Sequence, residues 1–442
     1  ASVEGRTADA YARDHRIELT SGFTTVDVRV VRVTADSTDA QRINAFEFTS
    51  LQEVIDNNST YADSAYVALR LDSKQFNRIP ARKYRIRGIK VRIPGAGASS
   101  SGTPSVDNAT GRIVYPDGYI FNGVMGAAVY TNCPAMCLLD LLTNTRYGLG
   151  NHVSDSNLDL FSFVAASKYA NEEVDDGTGS GAKEARFSCN VNIQSPKEAF
   201  AAINDLAGVM RCMPIWSAGS ITISQDKETT ASYLFNLANV GEGGFAYSGS
   251  SLKTRHSVVS VSYFNMDSKE VDFEVVEDST AKSKLGIITK QVKAFACTSR
   301  NQAARLGRAI LFAEQNESET VTFTTSIDSG IVVRPGSVIE INDPVRAGAR
   351  RGGRVVAATT TTITIDAQSE TTLPALSDNP TISVILSDGS VESKTITAIS
   401  GAVLTVSSAF SSVPNVNSPY LLSSTSLQTQ LFRVIQVEEQ DD

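Results

Sequence analysis

The chain has 442 residues and a formal net charge of −8, with 41% hydrophobic and 20% charged residues. This composition is typical of folded globular proteins and excludes a disordered or membrane-embedded chain. The negative charge argues against a sequence-independent nucleic-acid binder, which must neutralise phosphates, and it equally fits ordinary acidic solubility.

The length fits roughly three domains of about 150 residues each. The opening Ala1–Arg6 lacks the apolar core of a signal peptide, and no stretch reaches the roughly 18 apolar residues of a membrane span. The five cysteines are scattered; Cys133 and Cys137 are four residues apart, and no zinc pattern is completed. We expect all five to be small buried or half-buried residues of a protein that assembles in a reducing cytoplasm.

Residues 1–94 are expected to form a β-rich segment with a short helix. Alternating β-branched residues predict strands at Val26–Val33, Tyr66–Leu71 and Tyr84–Ile93, and a capping box predicts a helix over Ser50–Asp56. In Tyr84–Ile93 basic residues alternate with apolar ones, a pattern that suits phosphate contact but more often protects an edge strand. Residues 95–111, rich in Ser and Gly, are predicted to be a flexible loop.

Residues 112–330 are expected to form an α+β core. Pro134 suits the first position of a short apolar helix with Asn132 as its N-cap, and Gly148 and Gly150 are expected to end this segment by adopting positive φ. The leucines of Asp140–Gly150 are expected to be buried, and Arg146 and Tyr147 are expected to anchor the turn through the guanidinium donors and the buried ring. The remaining patterns predict helices at Leu160–Asn171 (capped by Asn157), Ser195–Met210 and Thr298–Gln315, a hairpin turning at Ser217–Ser220, and strands at Phe187–Ile193, Val258–Phe264, Val271–Val276 and Val321–Ile327.

Residues 331–442 are expected to be an all-β barrel or sandwich, because short β-branched runs alternate with turn signals such as Asp388-Gly389. The strands are predicted at Val338–Ile341, Ile363–Ile365, Ile382–Leu386, Val403–Val406 and Phe432–Ile435. The basic cluster in this region consists of Arg346, Arg350, Arg351 and Arg354. Its arginines suit contact with phosphate or carboxylate groups at a subunit interface. A solvated loop between strands is the alternative.

No catalytic, cofactor-binding or metal-ligating residues are expected, and the chain is predicted not to be an enzyme. The three histidines, His15, His152 and His256, have no neighbouring nucleophile pattern, and no Gly-x-Ser-x-Gly sequence is present. Asp155–Asp159 resembles the start of a calcium loop but lacks its glycine and its bidentate glutamate.

Two segments resemble one known family. Tyr130–Ala135 followed by Asp140–Gly150 is similar to the aromatic-Thr-Asn-x-Pro-Ala and Asp-Leu-Leu-Thr-Asn-x-Arg-Tyr-Gly-Leu-Gly signature of the central tail hub, or tip attachment (host specificity) protein J, family of long-tailed phages. Pro344–Val355 is similar to the family's Pro-x-Arg-x-Gly-x-Arg-x-Gly-Gly-Arg stretch. The segments Ile79–Pro94 and Leu431–Val434 are similar to the family in residue type, and they extend the resemblance over nearly the whole chain.

The resemblance implies a multi-domain tail-hub architecture with small β-barrel-like domains. It implies a homotrimeric virion protein at the distal end of the tail, assembled in the host cytoplasm, that closes the tail tube and opens for DNA ejection. Its implied partners are the distal tail protein, other tail-tip proteins and the tape measure protein, with phage DNA passing through without specific binding. A host outer-surface receptor would be bound through regions beyond this chain, which would stop before the fibronectin-like parts.

Two other functions stay open from the residues alone. A tail-associated cell-wall hydrolase would need a catalytic glutamate or a Cys-His pair in a cleft. A secreted glycan-binding β protein would need a signal peptide and surface aromatic residues, and Trp216 is the chain's one tryptophan.

Overall fold

The structure, a computed structural model, describes residues 78–439 except 196, 218, 348–351, 367–372 and 426–429, together with residues 16–18, 25, 27–31, 33, 35–39, 47–52, 64, 66–72 and 75–76. The chain divides into two compact units, Ala1–Ala81 and Arg82–Asp442. Within the described residues, all helices and strands lie in the second unit.

Three strands predicted near the beginning of the chain are wrong in whole or in part. The described residues of Val26–Val33 and all of Tyr66–Leu71 form no strand, and Tyr84–Ile93 is a strand only from Lys90 onward. Alternation favours a strand, but a strand also needs a neighbour that supplies hydrogen bonds. The described residues of Val26–Val33, all of Tyr66–Leu71 and residues 84–89 pair with no strand among the described residues. The predicted helix Ser50–Asp56 lies outside the described residues from position 53 onward, and its first three residues are not helical.

The first part of the second unit packs antiparallel strand pairs and helices around one core. Its elements are β1 (Lys90–Pro94), β2 (Ser105–Val106), β3 (Ile113–Val114), β4 (Met125–Tyr130), α1 (Pro134–Thr143), α2 (Leu160–Asn171), β5 (Glu173–Asp175), β6 (Lys183–Ala185), α3 (Ala199–Val209), β7 (Cys212–Ser217) and β8 (Ser220–Gln225). The pairs are β1–β4, β2–β3, β5–β6 and β7–β8. Met136 and Leu138 of α1, Phe163 of α2 and Leu206 of α3 meet in the core. The predicted loop 95–111 therefore contains β2, and the predicted hairpin of β7 and β8 is confirmed.

Two predicted helix caps are wrong, although the helices themselves are confirmed. Cys133, not Asn132, is the N-cap of α1, and Asp159, not Asn157, is that of α2. The chain does not become helical directly after Asn157, because Leu158 first forms a bridge to β8. Tertiary pairing therefore overrides the local cap signal.

The next predicted unit, a strand followed by a helix, is also corrected. Phe187–Ile193 forms no strand; instead the backbone N–H of Cys189 donates to the carbonyl of Asn132 at 2.8 Å. α3 begins at Ala199, four positions after the predicted start at Ser195, and Pro196 lies outside the described residues.

The middle of the unit contains β9 (Tyr233–Phe235), β10 (Ala246–Gly249), β11 (Val258–Asn265), β12 (Glu270–Glu277), α4 (Ser279–Leu285), β13 (Thr289–Lys293), α5 (Arg300–Asn316), β14 (Glu319–Thr322), α6 (Ile327–Val332), β15 (Val338–Ile341) and α7 (Pro344–Ala347). β12, β11 and β13 form a sheet in that order. α5, predicted as the longest helix, packs on one face of it: a Cβ on Gly307 would lie 2.9 Å from Val276 and 3.3 Å from Val261. The predicted strand Val321–Ile327 is shorter, since Ile327 begins α6.

The predicted barrel or sandwich is a closed barrel. Its strands run in the order β16-β17-β20-β19-β18-β21. They are β16 (Gly352–Ala358), β17 (Thr362–Ile365), β18 (Thr381–Ile385), β19 (Val391–Ser400), β20 (Val403–Val406) and β21 (Pro419–Ser423), followed outside the barrel by β22 (Gln430–Arg433). Ile363, Ile382, Leu404 and Tyr420 fill the interior without exposure to solvent. β22 pairs with β15, which also pairs with β9. The molecule is therefore β-rich with some helices.

Candidate functional site

The signature segment Tyr130–Gly150 begins by fixing the end of the Ser/Gly-rich loop. Thr131 Oγ1 donates to the carbonyl of Gly111 at 2.7 Å. Asn132 Nδ2 donates to the carbonyl of Thr110 at 2.8 Å. Thr131 is buried, so its bond forms inside the protein, whereas the half-buried Asn132 makes its bond at the surface. The Thr-Asn pair therefore fastens this loop to the start of α1.

A buried polar cluster lies beneath this junction. Cys133 Sγ lies 3.2 Å from Ser167 Oγ, and Asn171 Nδ2 donates to the same sulfur at 3.1 Å. Asn171 Oδ1 accepts from the backbone N–H of Ile113 at 2.8 Å, and the Tyr115 hydroxyl lies 2.6 Å from Ser167 Oγ. Sequence analysis missed Ser167 and Asn171. Their signal was two polar residues four apart on a helix face that is otherwise apolar.

After α1 ends at Thr143, the chain folds back onto the last turn of the helix. The N–H of Leu149 donates to the carbonyl of Leu141 at 2.9 Å, and the N–H of Gly150 donates to that of Asn144 at 3.0 Å. These bonds satisfy carbonyls that a helix end otherwise leaves unpaired. The segment is therefore an internal cap for α1.

Gly148 and Gly150 serve this cap through close backbone approach. A Cβ on Gly148 would lie 2.1 Å from the carbonyl oxygen of Leu141, and one on Gly150 would lie 2.2 Å from that of Thr143. Neither glycine has positive φ. The prediction of positive φ is therefore wrong, and the requirement for glycine has a steric cause.

The expected anchoring by Arg146 and Tyr147 is confirmed only for the Tyr147 hydroxyl. The Tyr147 side chain is 45% exposed, so its predicted burial is wrong, but its hydroxyl donates to the carboxylate of Asp140. Partial burial and this hydrogen bond raise the pKa of Tyr147. Arg146 is exposed, and its backbone N–H donates to Asn144 Oδ1 at 2.9 Å. Of the leucines of Asp140–Gly150 that were predicted to be buried, Leu142 is buried, whereas Leu141 and Leu149 are half-buried.

Arg92 of β1 joins the signature segment to the turn that follows it. Its two terminal nitrogens each lie 2.7 Å from a different carboxylate oxygen of Asp155, and Nη2 also donates to Thr143 Oγ1 at 3.3 Å. The hydrogen bond from Arg92 lowers the pKa of Asp155. Sequence analysis missed this pair because Arg92 is one of several basic residues that alternate along the same segment.

Two described members of the basic cluster have partners within their own chain. Arg346 donates to both carboxylate oxygens of Glu319, at 2.6 and 2.9 Å, and lies 4.0 Å from the centre of the Tyr247 ring. Arg354 donates to the carbonyls of Asn417 and Ala238. These contacts within the chain stabilise the positions of α7 and of the barrel strand β16.

The rest of the cluster is described in part. Arg350 and Arg351 lie outside the described residues. The two glycines that follow are tightly packed: a Cβ on Gly352 would lie 2.9 Å from the side chain of Asn236, and one on Gly353 would lie 2.2 Å from that of Asp366, so these side chains would have to move. An interface role for the cluster stays a prediction.

All five cysteines are free and buried or half-buried, as predicted. Burial raises the pKa of Cys297 to about 11 and that of Cys212 to about 12. A thiol with a raised pKa is a poor nucleophile, since the thiolate is the reactive form. These cysteines are therefore structural residues.

Within the described ranges, no three His, Cys, Asp or Glu side chains are grouped so as to hold a metal ion. Of the predicted unreactive histidines, His152 is exposed, His256 lies 3.0 Å from the carboxylate of Glu314, and His15 is outside the described residues. None of the helices in the described parts of the chain has the length and apolar character needed to span a bilayer.

Two family models match the chain. One, described as a putative phage tail protein, matches residues 198–357. The other, described as the FNIII-A domain of Tip attachment protein J, matches residues 1–57. The expectation that the chain stops before any fibronectin-like part is therefore wrong, because its first 57 residues are similar to such a domain.

Two curated relatives carry the same name. Over 442 residues, 99% of this chain and 37% of the relative, the chain is 29% identical to the Tip attachment protein J of Escherichia phage SECphi4. Over 343 residues, 77% of this chain and 27% of the relative, it is 31% identical to that of Escherichia phage SECphi27. The chain therefore spans well under half the length of these relatives.

Among solved structures, a tail protein from Neisseria meningitidis MC58 is 14% identical, with a TM-score of 0.28 over 36% of this chain and 49% of that one. A TM-score at this level carries no argument about architecture. The signature segment, two family models and two relatives all relate this chain to phage tail proteins by sequence. The chain belongs to the phage tail proteins of the tip attachment protein J family.

Proposed function

We propose that this chain forms the body of a homotrimeric central hub at the distal end of a phage tail. The observation that carries the proposal is the match of 99% of the chain to a Tip attachment protein J. The hub would close the tail tube before infection and open for DNA ejection. In this role the protein is structural and not enzymatic.

The internal contacts of the signature segment support an architectural role. Its Thr-Asn pair fixes a loop, and its glycines let the chain cap α1. Arg92 of β1 bonds to Thr143 at the end of α1 and to Asp155 in the turn that follows. These contacts make a rigid junction between strands and helices. A rigid junction suits a subunit that must hold its shape in a closed ring.

The proposed partners follow from this location. Within the tail they are two further copies of the chain, the distal tail protein, other tail-tip proteins and the tape measure protein. The net charge of −8 suits a channel that phage DNA crosses without specific binding. Contact with a host outer-surface receptor would involve regions of the protein beyond this chain.

We also propose that the chain divides into a β-rich segment at residues 1–94, a loop at 95–111, an α+β core at 112–330 and a β domain at 331–442.

The proposal is tested by measuring the mass of the assembled protein and its location in the virion. Native mass spectrometry of the purified protein should give three times the chain mass of 47.2 kDa. Gold-labelled antibodies against the chain should bind at one end of the tail, away from the capsid. A monomer or dimer at all concentrations, or labelling along the tail shaft or on the capsid, would contradict it.

A further inference from the structure

The sheet of β12, β11 and β13 has one face, called the open face, on which its edge strand β12 exposes apolar side chains. α5 packs against Val276 and Val261 on the opposite face. Because side chains alternate along a strand, Val271, Phe273 and Val275 all point to the open face. They are 64%, 63% and 55% exposed. Three neighbouring apolar side chains on one strand are an unusual surface for a solvent-facing sheet.

β12 is also an edge strand. In the sheet order it pairs with β11 and with no other described strand. Its outer edge presents the backbone N–H and C=O groups of alternate residues to no strand partner, and the N–H of Phe273 donates to Asp272 Oδ1 at 2.8 Å. Its sequence alternates apolar residues with acids: Glu270, Asp272, Glu274 and Glu277 lie on it, and no basic residue does.

The segment Tyr84–Ile89 has the complementary pattern. Its residues alternate apolar with basic, and the surrounding stretch 82–90 contains five basic residues and no acid. Its sequence pattern predicts a strand, yet it has no strand partner among the described residues. Tyr84, Ile86 and Ile89 are 55%, 75% and 61% exposed.

Both ends of this segment are held in place by its own chain. Lys83 Nζ donates to the carbonyl of Lys269, at the tip of the β11–β12 hairpin, at 2.7 Å. Arg87 donates to the carbonyl of Asn108 at 3.0 Å, and its guanidinium lies 5.6 Å from the centre of the Tyr130 ring. The segment is therefore presented at a fixed place and is not a free tail, which lowers the entropy cost of pairing.

We propose that Tyr84–Ile89 of one copy pairs with the open edge of β12 in a neighbouring copy. The pairing places Tyr84 and Ile86 beside the apolar side chains of Phe273 and its neighbours on the open face. It places Arg85 on the other face, near Asp272, which accepts hydrogen bonds from the neutral side chains of Asn265 and Tyr263. The occupant is a second copy of this chain because the two segments match in charge and in apolar spacing. This inference rests on the proposed homotrimer.

Cysteine cross-linking tests the pairing directly. Ile86→Cys is combined in turn with Val271→Cys, Phe273→Cys and Val275→Cys, and each protein is oxidised with copper phenanthroline. We expect at least one combination to give covalent dimers and trimers on a non-reducing gel. The control joins Ile86→Cys to Val416→Cys, a 61% exposed position beside the barrel, and should give monomer.

The outcomes separate the pairing from the trimer. A parent protein that is not trimeric by native mass spectrometry contradicts the proposed function itself. A trimer in which none of the three combinations links, or in which the link forms within one chain, contradicts the pairing alone.

Lysine substitutions give a second, independent measurement. A lysine on an edge strand blocks pairing with another strand, so Phe273→Lys and Ile86→Lys should each weaken trimer formation by about tenfold or more. Val416→Lys is the matched control and should leave it unchanged. Circular dichroism must show that each variant is folded. Folded Phe273→Lys and Ile86→Lys proteins that trimerise like the parent would refute the pairing.

Discussion

Replacing Gly148 tests how the signature segment is built. A Cβ at this position would lie 2.1 Å from the carbonyl oxygen of Leu141 and 2.9 Å from that of Asn144. Both neighbours are backbone atoms, so the turn itself must move. The movement breaks the hydrogen bonds from Gly148 to Asn144, at 3.1 Å, and from Leu149 to Leu141, at 2.9 Å.

The cost can be worked out from these bonds. Each net hydrogen bond contributes about 1 kcal/mol, and each half-buried group left unpaired costs about 1 kcal/mol more. Gly148→Ala should therefore destabilise the protein by about 2–4 kcal/mol. The measurement is the free energy of unfolding in urea, followed by tryptophan fluorescence and circular dichroism.

Gly208 of α3 provides the matched control, because a Cβ there would meet no atom within 4 Å. Gly208→Ala should be neutral or stabilising by up to about 1 kcal/mol, since alanine favours helix. Gly148→Asn adds a further test. If positive φ were the reason for glycine, asparagine would be tolerated better than alanine; with a steric cause, it is no better. Equal stability of Gly148→Ala and Gly208→Ala, or rescue by Gly148→Asn, would refute the reasoning.

Three further predictions concern charged and thiol groups. Arg92 lowers the pKa of Asp155. The stability that this pair adds is therefore present above the unfolded pKa of about 3.9 and is lost as pH falls through the lower, folded pKa. The unfolding curves of Arg92→Met and the parent should differ at pH 7 and converge near pH 2. Burial raises the pKa of Cys212 to about 12, so Ellman's reagent at pH 8 should react with the native protein slowly and with all five thiols in denaturant; fast reaction of all five without denaturant would contradict this. Arg346→Lys loses the forked contact with Glu319, so its Tm should fall slightly at low salt and match the parent at high salt, because salt screens exposed charges; an equal loss at both salt concentrations would point to packing instead.

Local patterns predicted the elements that carry strong local signals. α1 begins at Pro134 and α5 occupies the predicted amphipathic stretch, because proline at a helix start and apolar spacing of 3.6 are local properties. The barrel strands β17, β18 and β20 are likewise close to their predicted positions. In contrast, β19 was missed because only Ile396 of its ten residues is buried, so it shows no alternation.

The failures concern features that depend on partners distant in sequence. Tyr66–Leu71 and Tyr84–Ile89 have the composition of strands and lack a strand neighbour in the described residues. The observed N-caps of α1 and α2 differ from the predicted ones because contacts with distant parts of the chain determine where each helix begins. Within the signature segment, the sequence indicated that glycine was needed, but the close backbone approach that requires it is visible only in three dimensions.

We propose above that three copies of this chain form the distal hub of the tail. An electron cryomicroscopy reconstruction of the intact virion tail tests this arrangement. We expect density for the six-stranded barrel and for the sheet of β12, β11 and β13 in three copies around the tail axis, at the end distant from the capsid. Density for this chain in any other number of copies, or elsewhere in the virion, would contradict it.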